Sequence, residues 1–112
     1  MKQRTLRSSA DFTRVLRTGK RARRDGVTAY VAPLSESTEA SRLGLAVRCR
    51  RAVDRNLLKR RLRGAWRSYQ PGPGFEIAIR ADEGALSTNY QELEIHLHEA
   101  LRAAGVSPTE VP

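Results

Sequence analysis

Between about residues 51 and 69 the chain carries two stripes of opposite character at one helical period. On a wheel of about 100° per residue, Leu58, Leu62, Ala65, Trp66 and Tyr69 share one arc, while Asn56, Lys59, Arg60, Arg63 and Arg67 share another. Each arc is roughly 100° wide, the width of a core-facing stripe. The apolar stripe has to be buried. The cationic stripe cannot be, because an unpaired buried charge costs too much. The segment therefore predicts an amphipathic helix with packed protein on one side and solvent or a polyanion on the other. Gln70–Gly74 (QPGPG) stops it, since two prolines and two glycines cannot continue a helix. The stripe of Leu and Trp reads as core, with no ligand site in it.

The charge pattern widens this reading. Residues 48–67 hold nine basic residues and one acid, and so do residues 1–24, giving +8 in each block. The remaining 68 residues carry −7, for a net +9 over the 112 residues. Two concentrated blocks in an otherwise acidic chain predict a basic face rather than an evenly basic surface. Arginine dominates the cations, which suits bidentate phosphate contacts and stacking on bases. A large anion is the expected partner, nucleic acid ahead of an acidic membrane surface.

The length and a hydrophobic content of 39% predict a single domain over 1–112. Its ordered core is expected at about 4–104, with a frayed tail over 105–112. One cysteine, Cys49, excludes an internal disulfide and a four-cysteine zinc site. The start lacks the apolar stretch of a signal peptide, and no run is long enough to span a bilayer. The expectation is a cytoplasmic protein with no membrane partner and no obligate protein partner.

Ser8 and Asp11 read as a capping box for a helix at about 9–18, with Phe12, Val15 and Leu16 on one face and Gly19 after it. Lys20–Gly26 reads as a basic connector in which a short strand has room to hide. Val27–Ala32 predicts a strand closed by Pro33, and Leu34–Ser41 a hairpin loop. Arg42–Arg48 alternates, with Leu43, Leu45 and Val47 facing one way. Phe75–Arg80 predicts another strand and 82–87 a turn region. Thr88 and Gln91 suggest a second capping box, followed by Tyr90, Leu93, Leu97 and Leu101 at helical spacing and Gly105 as the stop. This last helix carries Glu92, Glu94 and Glu99, so it should face away from a polyanion. The order reads α-β-β-α-β-α plus the strand hidden in the connector.

No catalytic constellation emerges. His96 and His98 are two apart, which suits neither an i,i+4 metal pair nor a nucleophile's base, and they read as surface histidines. There is no glycine-rich phosphate loop and no carboxylate cluster. Cys49 adjoins arginines that could lower its pKa, but it lacks a partner residue and reads as an incidental thiol. No catalytic residue and no metal ligand is expected in the chain: it binds, and chemistry on the bound polymer comes from elsewhere.

The segment Arg51–Arg63 (RAVDRNLLKRRLR) resembles the arginine-rich helix of the bacterial ribonuclease P protein subunit family, Ala-Val-x-Arg-Asn-Arg-x-Lys-Arg-x-x-Arg. Ala52, Val53, Arg55, Asn56, Lys59, Arg60 and Arg63 match it. The flanks fit as well: Asp11-Phe12 with Val15, then Gly19, Tyr30, Arg42–Val47, and Phe75–Arg80. The likeness covers about residues 4–104. Three departures stand out. Leu57 replaces the second Arg of Arg-Asn-Arg, Leu16 replaces a second aromatic, and Arg48–Arg51 is about two residues short and lacks the family's glycine.

The resemblance implies an α+β fold, a small α/β sandwich of α-β-β-β-α-β-α order. It has a four-stranded sheet and a left-handed β-α-β crossover, ribosomal protein S5 domain 2-like. It also implies that the protein serves a ribonuclease P holoenzyme, where a catalytic RNA and its Mg²⁺ remove the 5′ leader of precursor tRNA. The protein alone holds no cofactor on this view. Its partners are the catalytic RNA and precursor tRNA. Arg51, Arg55, Asn56, Lys59, Arg60, Arg63 and Arg67 then hold RNA, and Phe12, Leu16, Tyr30, Lys20, Arg21, Arg23 and Arg24 form a cleft for the leader. A sequence-tolerant single-strand site needs this mixture of apolar surfaces and cations. Residue chemistry alone also admits a ribosomal-type structural RNA-binding protein, a duplex-DNA binder with the helix in the major groove, or, least readily, a stand-alone nuclease.

Overall fold

The structure is a computed structural model and describes residues 4–5, 9–36 and 38–109. Four strands build the sheet: β2 (Lys20–Arg24), β3 (Val27–Pro33), β4 (Arg42–Arg48) and β5 (Phe75–Asp82). A two-residue strand, β1 (Arg4–Thr5), runs parallel to the start of β4 and was not expected from the sequence. The described residues also form three α-helices, α1 (Ser9–Thr18), α2 (Ala52–Tyr69) and α3 (Tyr90–Ala103), and a short 3₁₀ helix, Glu83–Ser87, in the expected turn region. Leaving β1 aside, the order is α-β-β-β-α-β-α, an α+β fold as expected. The helix foreseen at 9–18 has those bounds; its Ser8 cap lies outside the described residues.

The basic connector is where the hidden strand lies. β2 and β3 form an antiparallel hairpin around Asp25-Gly26, with Asp25 in the left-handed region at φ 52. The spatial order is β1-β4-β5-β3-β2, with β5 antiparallel to β3 and parallel to β4. The stretch 34–41 is therefore not a hairpin loop. β5 pairs with β3 on one side and β4 on the other, and the loop has to pass its end.

Alternation along the strands feeds two layers. Val27, Ala29 and Val31 of β3, Leu43 of β4, and Ile77 and Ile79 of β5 join the large core beneath α2 and α3. Ala32 and Ala78 face α1 instead, where they enclose Val15. On α2 all five stripe residues, Leu58, Leu62, Ala65, Trp66 and Tyr69, are buried. Burying that stripe turns the opposite arc of cations outward. The Tyr90 ring end of α3 rests over Gly64 of α2, where a Cβ would lie 2.9 Å from its hydroxyl oxygen.

Three local expectations are corrected. The cap of α3 is Asn89, whose Oδ1 accepts from Glu92 N at 2.9 Å, while the Thr88 hydroxyl donates to the carbonyl of Ala85. The histidines are not plain surface groups: His98 Nε2 lies 2.9 Å from the Ala65 carbonyl, and His96 Nε2 lies 3.0 Å from Asp25 Oδ2. The tail does not fray from 105. Gly105 turns the chain at φ 99, Val106 is buried, Gly72 N donates to Ser107 O at 3.0 Å, and Thr109 N donates to Gln70 O at 2.6 Å. The Tyr69 hydroxyl, its pKa pushed up chiefly by burial, donates to the Val106 carbonyl. Among the described residues no helix is long and apolar enough to cross a membrane.

Leu62 has no exposed surface. Leu62→Ala should lower unfolding free energy by about 2–5 kcal/mol, measured by urea denaturation.

Candidate nucleic-acid interface

The outward arc of α2 is a row of cations. Arg51 stands at the N-cap in extended conformation, and Arg51, Asn56, Arg60, Arg63 and Arg67 are exposed. Among the described residues the ion pairs involve Arg14, Arg42 and His96, and none involves a cation of α2. Nothing there neutralises the helix. Its charge is directed at something outside the protein. Arg55 is the exception in posture: half-buried, it donates from Nη1 to the Cys49 carbonyl at 2.8 Å and fastens the short entry loop. Arg50 N donates to a Glu83 carboxylate oxygen from the other side of that loop. Leu57, the departure from the family pattern, is half-buried beside Arg61.

The second element is a groove on the sheet face that α1 leaves uncovered. It has a volume of about 600 Å³, and its lining includes Arg21, Arg23, Thr28, Tyr30, Ala46, Arg48, Lys59 and Arg80. Sheet register explains this set. Arg21 is opposite Tyr30, which is opposite Ala78; Arg23 is opposite Thr28, which is opposite Arg80, which is opposite Ala46. Residues opposite one another share a face, so two rows present cations around a floor of small side chains. Phe12, Leu16 and Tyr30 are half-buried around Val15, Ala32 and Ala78 and bound the apolar side of this face.

The structure thus brings Phe12, Leu16, Tyr30, Arg21 and Arg23 to one face, and separates Lys20 and Arg24 from them. Lys20 and Arg24 alternate with Arg21 and Arg23 and share the direction of Ala22, which packs on the core under α3. Lys59, assigned to the helix face, also reaches the groove, past the stretch of β4 beyond Leu43 that β1 does not pair. The sequence reading missed Arg48 and Arg80. Their alternation with Ala46 and Ala78 was visible, but not which strand would lie beside Tyr30.

Among the described residues no three His, Cys, Asp or Glu side chains gather in a way that could hold a metal ion. The Cys49 thiol is buried, and burial first, then Glu83 and Asp54, pushes its pKa up. Neighbouring arginines do not win, because only Arg55 acts in the lowering direction. A raised pKa means less thiolate at any given pH. With the thiol also buried, alkylation of Cys49 at neutral pH should be slower in the native protein than in urea, followed by mass spectrometry.

Fold and cation placement define a class: an α+β polyanion-binding protein with a charged helix on one side and a charged groove on the other. Comparison with known proteins narrows it. The family model described as ribonuclease P matches residues 1–105. A ribonuclease P protein component of Arthrobacter sp. is 39% identical over 100 residues, 86% of this chain and 73% of that protein. One from Picosynechococcus sp. is 30% identical over 110 residues, 94% of this chain and 93% of that one. The solved structure of the Staphylococcus aureus RNase P protein superposes with a TM-score of 0.80 at 23% identity, covering 93% of this chain and 97% of that chain. The Thermotoga maritima RNase P protein gives 0.72 at 22%, covering 91% and 96%. The chain belongs to the ribonuclease P family, as the protein component of that endoribonuclease.

Proposed function

We propose that the α2 face holds the catalytic RNA of ribonuclease P while the groove holds the 5′ leader of precursor tRNA. The observation that carries this is the uncompensated cation row of α2 continuing, through Lys59 and Arg48, into a groove with one apolar side. Arg51, Arg60, Arg63 and Arg67 hold RNA phosphates, and exposed Asn56 hydrogen-bonds the backbone. Arg55 contributes mainly by fixing the loop that starts the helix. In the groove, Arg21, Arg23, Arg48 and Arg80 take leader phosphates, and bases lie against Phe12, Leu16 and Tyr30. That division suits leaders of varied sequence, because stacking and phosphate contacts read no base. Leu16 packs against a base without stacking as an aromatic would. Hydrolysis is supplied by the RNA and its Mg²⁺; the protein binds, orients and neutralises. Lys20 and Arg24 lie outside the groove and serve it only through the general field.

The protein mixed with a bacterial ribonuclease P RNA at low Mg²⁺ should raise precursor-tRNA cleavage above that of RNA alone. No gain would defeat the proposal. Arg60→Ala with Arg63→Ala should weaken binding of the catalytic RNA and flatten its logarithmic salt dependence by about two units. Phe12→Ala should weaken leader-bearing substrate roughly tenfold, ~1.4 kcal/mol, and leave mature tRNA little changed. Equal losses for both would remove Phe12 from the leader site.

A further inference from the structure

Glu76 is 5% exposed, a deeply buried carboxylate on the α1 face of the sheet. In register it stands between Ala32 of β3 and Arg42 of β4. Arg42 is engaged elsewhere, with Glu39 at 3.0 Å. Arg14 of α1 reaches down to Glu76 with both ends of its fork. Nη2 donates to Oε1 at 2.9 Å, and Nη1 lies 2.8 Å from Oε2. Arg14 Nη2 is also 3.3 Å from Asp11 Oδ1 on the same helix. One hydrogen bond, to Oε1, and one close ion-pair distance, to Oε2, tie α1 to the start of β5.

The rest of the α1 footing is narrow. Val15 is its fully buried residue, set against Ala32 and Ala78. Just past the helix, Gly19 approaches β3 so closely that a Cβ would lie 3.0 Å from the Val31 carbonyl oxygen. Helical spacing puts Asp11 and Arg14 on one flank of Val15, and Phe12 and Leu16 on the other. Beyond Val15, the apolar packing of α1 comes from half-buried Phe12 and Leu16 on one flank, so resistance to rolling has to come from the other. Rolling α1 about Val15 would lift or lower Phe12 and Leu16 against the sheet. The Arg14–Glu76 contact is a second point of attachment, on the flank away from the groove, and it resists that rotation.

We propose that the Arg14–Glu76 pair is a positioning device for leader recognition, fixing the roll of α1 so that Phe12 and Leu16 stand at the right height beside the groove. The inference rests on the reading of the groove as the leader site. The Arg14 side chain is 43% exposed, yet its terminal nitrogens face Glu76 and Asp11 within the protein, so it acts here through α1.

The test uses holoenzyme reconstituted with a bacterial ribonuclease P RNA, and compares dissociation constants for precursor tRNA with a short leader and for mature tRNA. Glu76→Gln and Arg14→Met should each weaken leader-bearing substrate roughly tenfold, with mature tRNA held within about twofold. The double variant should be no worse than the worse single one, because both remove the same contact. Hydrogen exchange on the protein should quicken at α1 amides and stay unchanged in β3 and β5. If Arg14→Met loses leader affinity while Glu76→Gln keeps or gains it, Arg14 is a direct phosphate ligand and the proposal is overturned. Equal losses for both substrates, or faster exchange across the whole sheet, mean a role in general stability and overturn it too. A wild-type holoenzyme that does not distinguish leader-bearing from mature tRNA refutes the groove assignment itself, and this inference with it.

Discussion

Burial of the α2 stripe is what the cationic side of the molecule depends on. Leu58, Leu62 and Trp66 have no exposed surface, and each removes apolar area from water that no other arrangement of this helix could hide. Once they are seated under the sheet and α3, the helix has no remaining choice of rotation. Its arginines must point outward, close together, although they repel one another. The packing energy of one side thus holds the electrostatic strain of the other. Asp54 in its first turn is the one acid of α2; the others that could relieve the strain lie elsewhere, among them those of α3, the 34–41 loop and the turn after β5.

The two binding elements are assembled by different physics. On α2, side chains four residues apart come together because they belong to one helix, so the site is local in sequence. In the groove, Arg23, Thr28, Arg80 and Ala46 meet only because four strands align in register. A shift of one residue in any ladder would send its members to the opposite face. The buried Glu76 beside Arg14 belongs to the same sheet surface, and an unpaired carboxylate there would be costly. The groove therefore draws on the whole fold, whereas the helix face draws on eighteen consecutive residues.

This difference explains what could be read from the chain beforehand. The helix, its core stripe and its cationic arc follow from periodicity and appear in the structure as expected. Phe12 and Tyr30 were placed on the groove side through family likeness. Lys20 and Arg24 were grouped with Arg21 and Arg23 because the connector was read as a charge run rather than a strand. The Asp25-Gly26 pair between two extended stretches is a hairpin signal, and the density of arginine hid it. Once β2 is a strand, alternation divides its cations between two faces. Arg48 and Arg80 needed the strand order, which local sequence does not encode: the loop after β3 looks like a hairpin until β5 is known to lie between. The fastening of the tail was invisible for the same reason, since Val106 and Thr109 have no pattern of their own and are held by Tyr69 and Gln70 far back in the chain.

α2 is gripped at both of its ends. Arg55 and the Cys49 carbonyl hold the start, and the strap from Val106 to Thr109 holds the finish. A rod clamped in this way holds the backbone positions of its arginines at a fixed pitch. On the proposed docking, mutual adjustment falls on the softer polymer, and the ordering entropy is borne mainly on the nucleic-acid side.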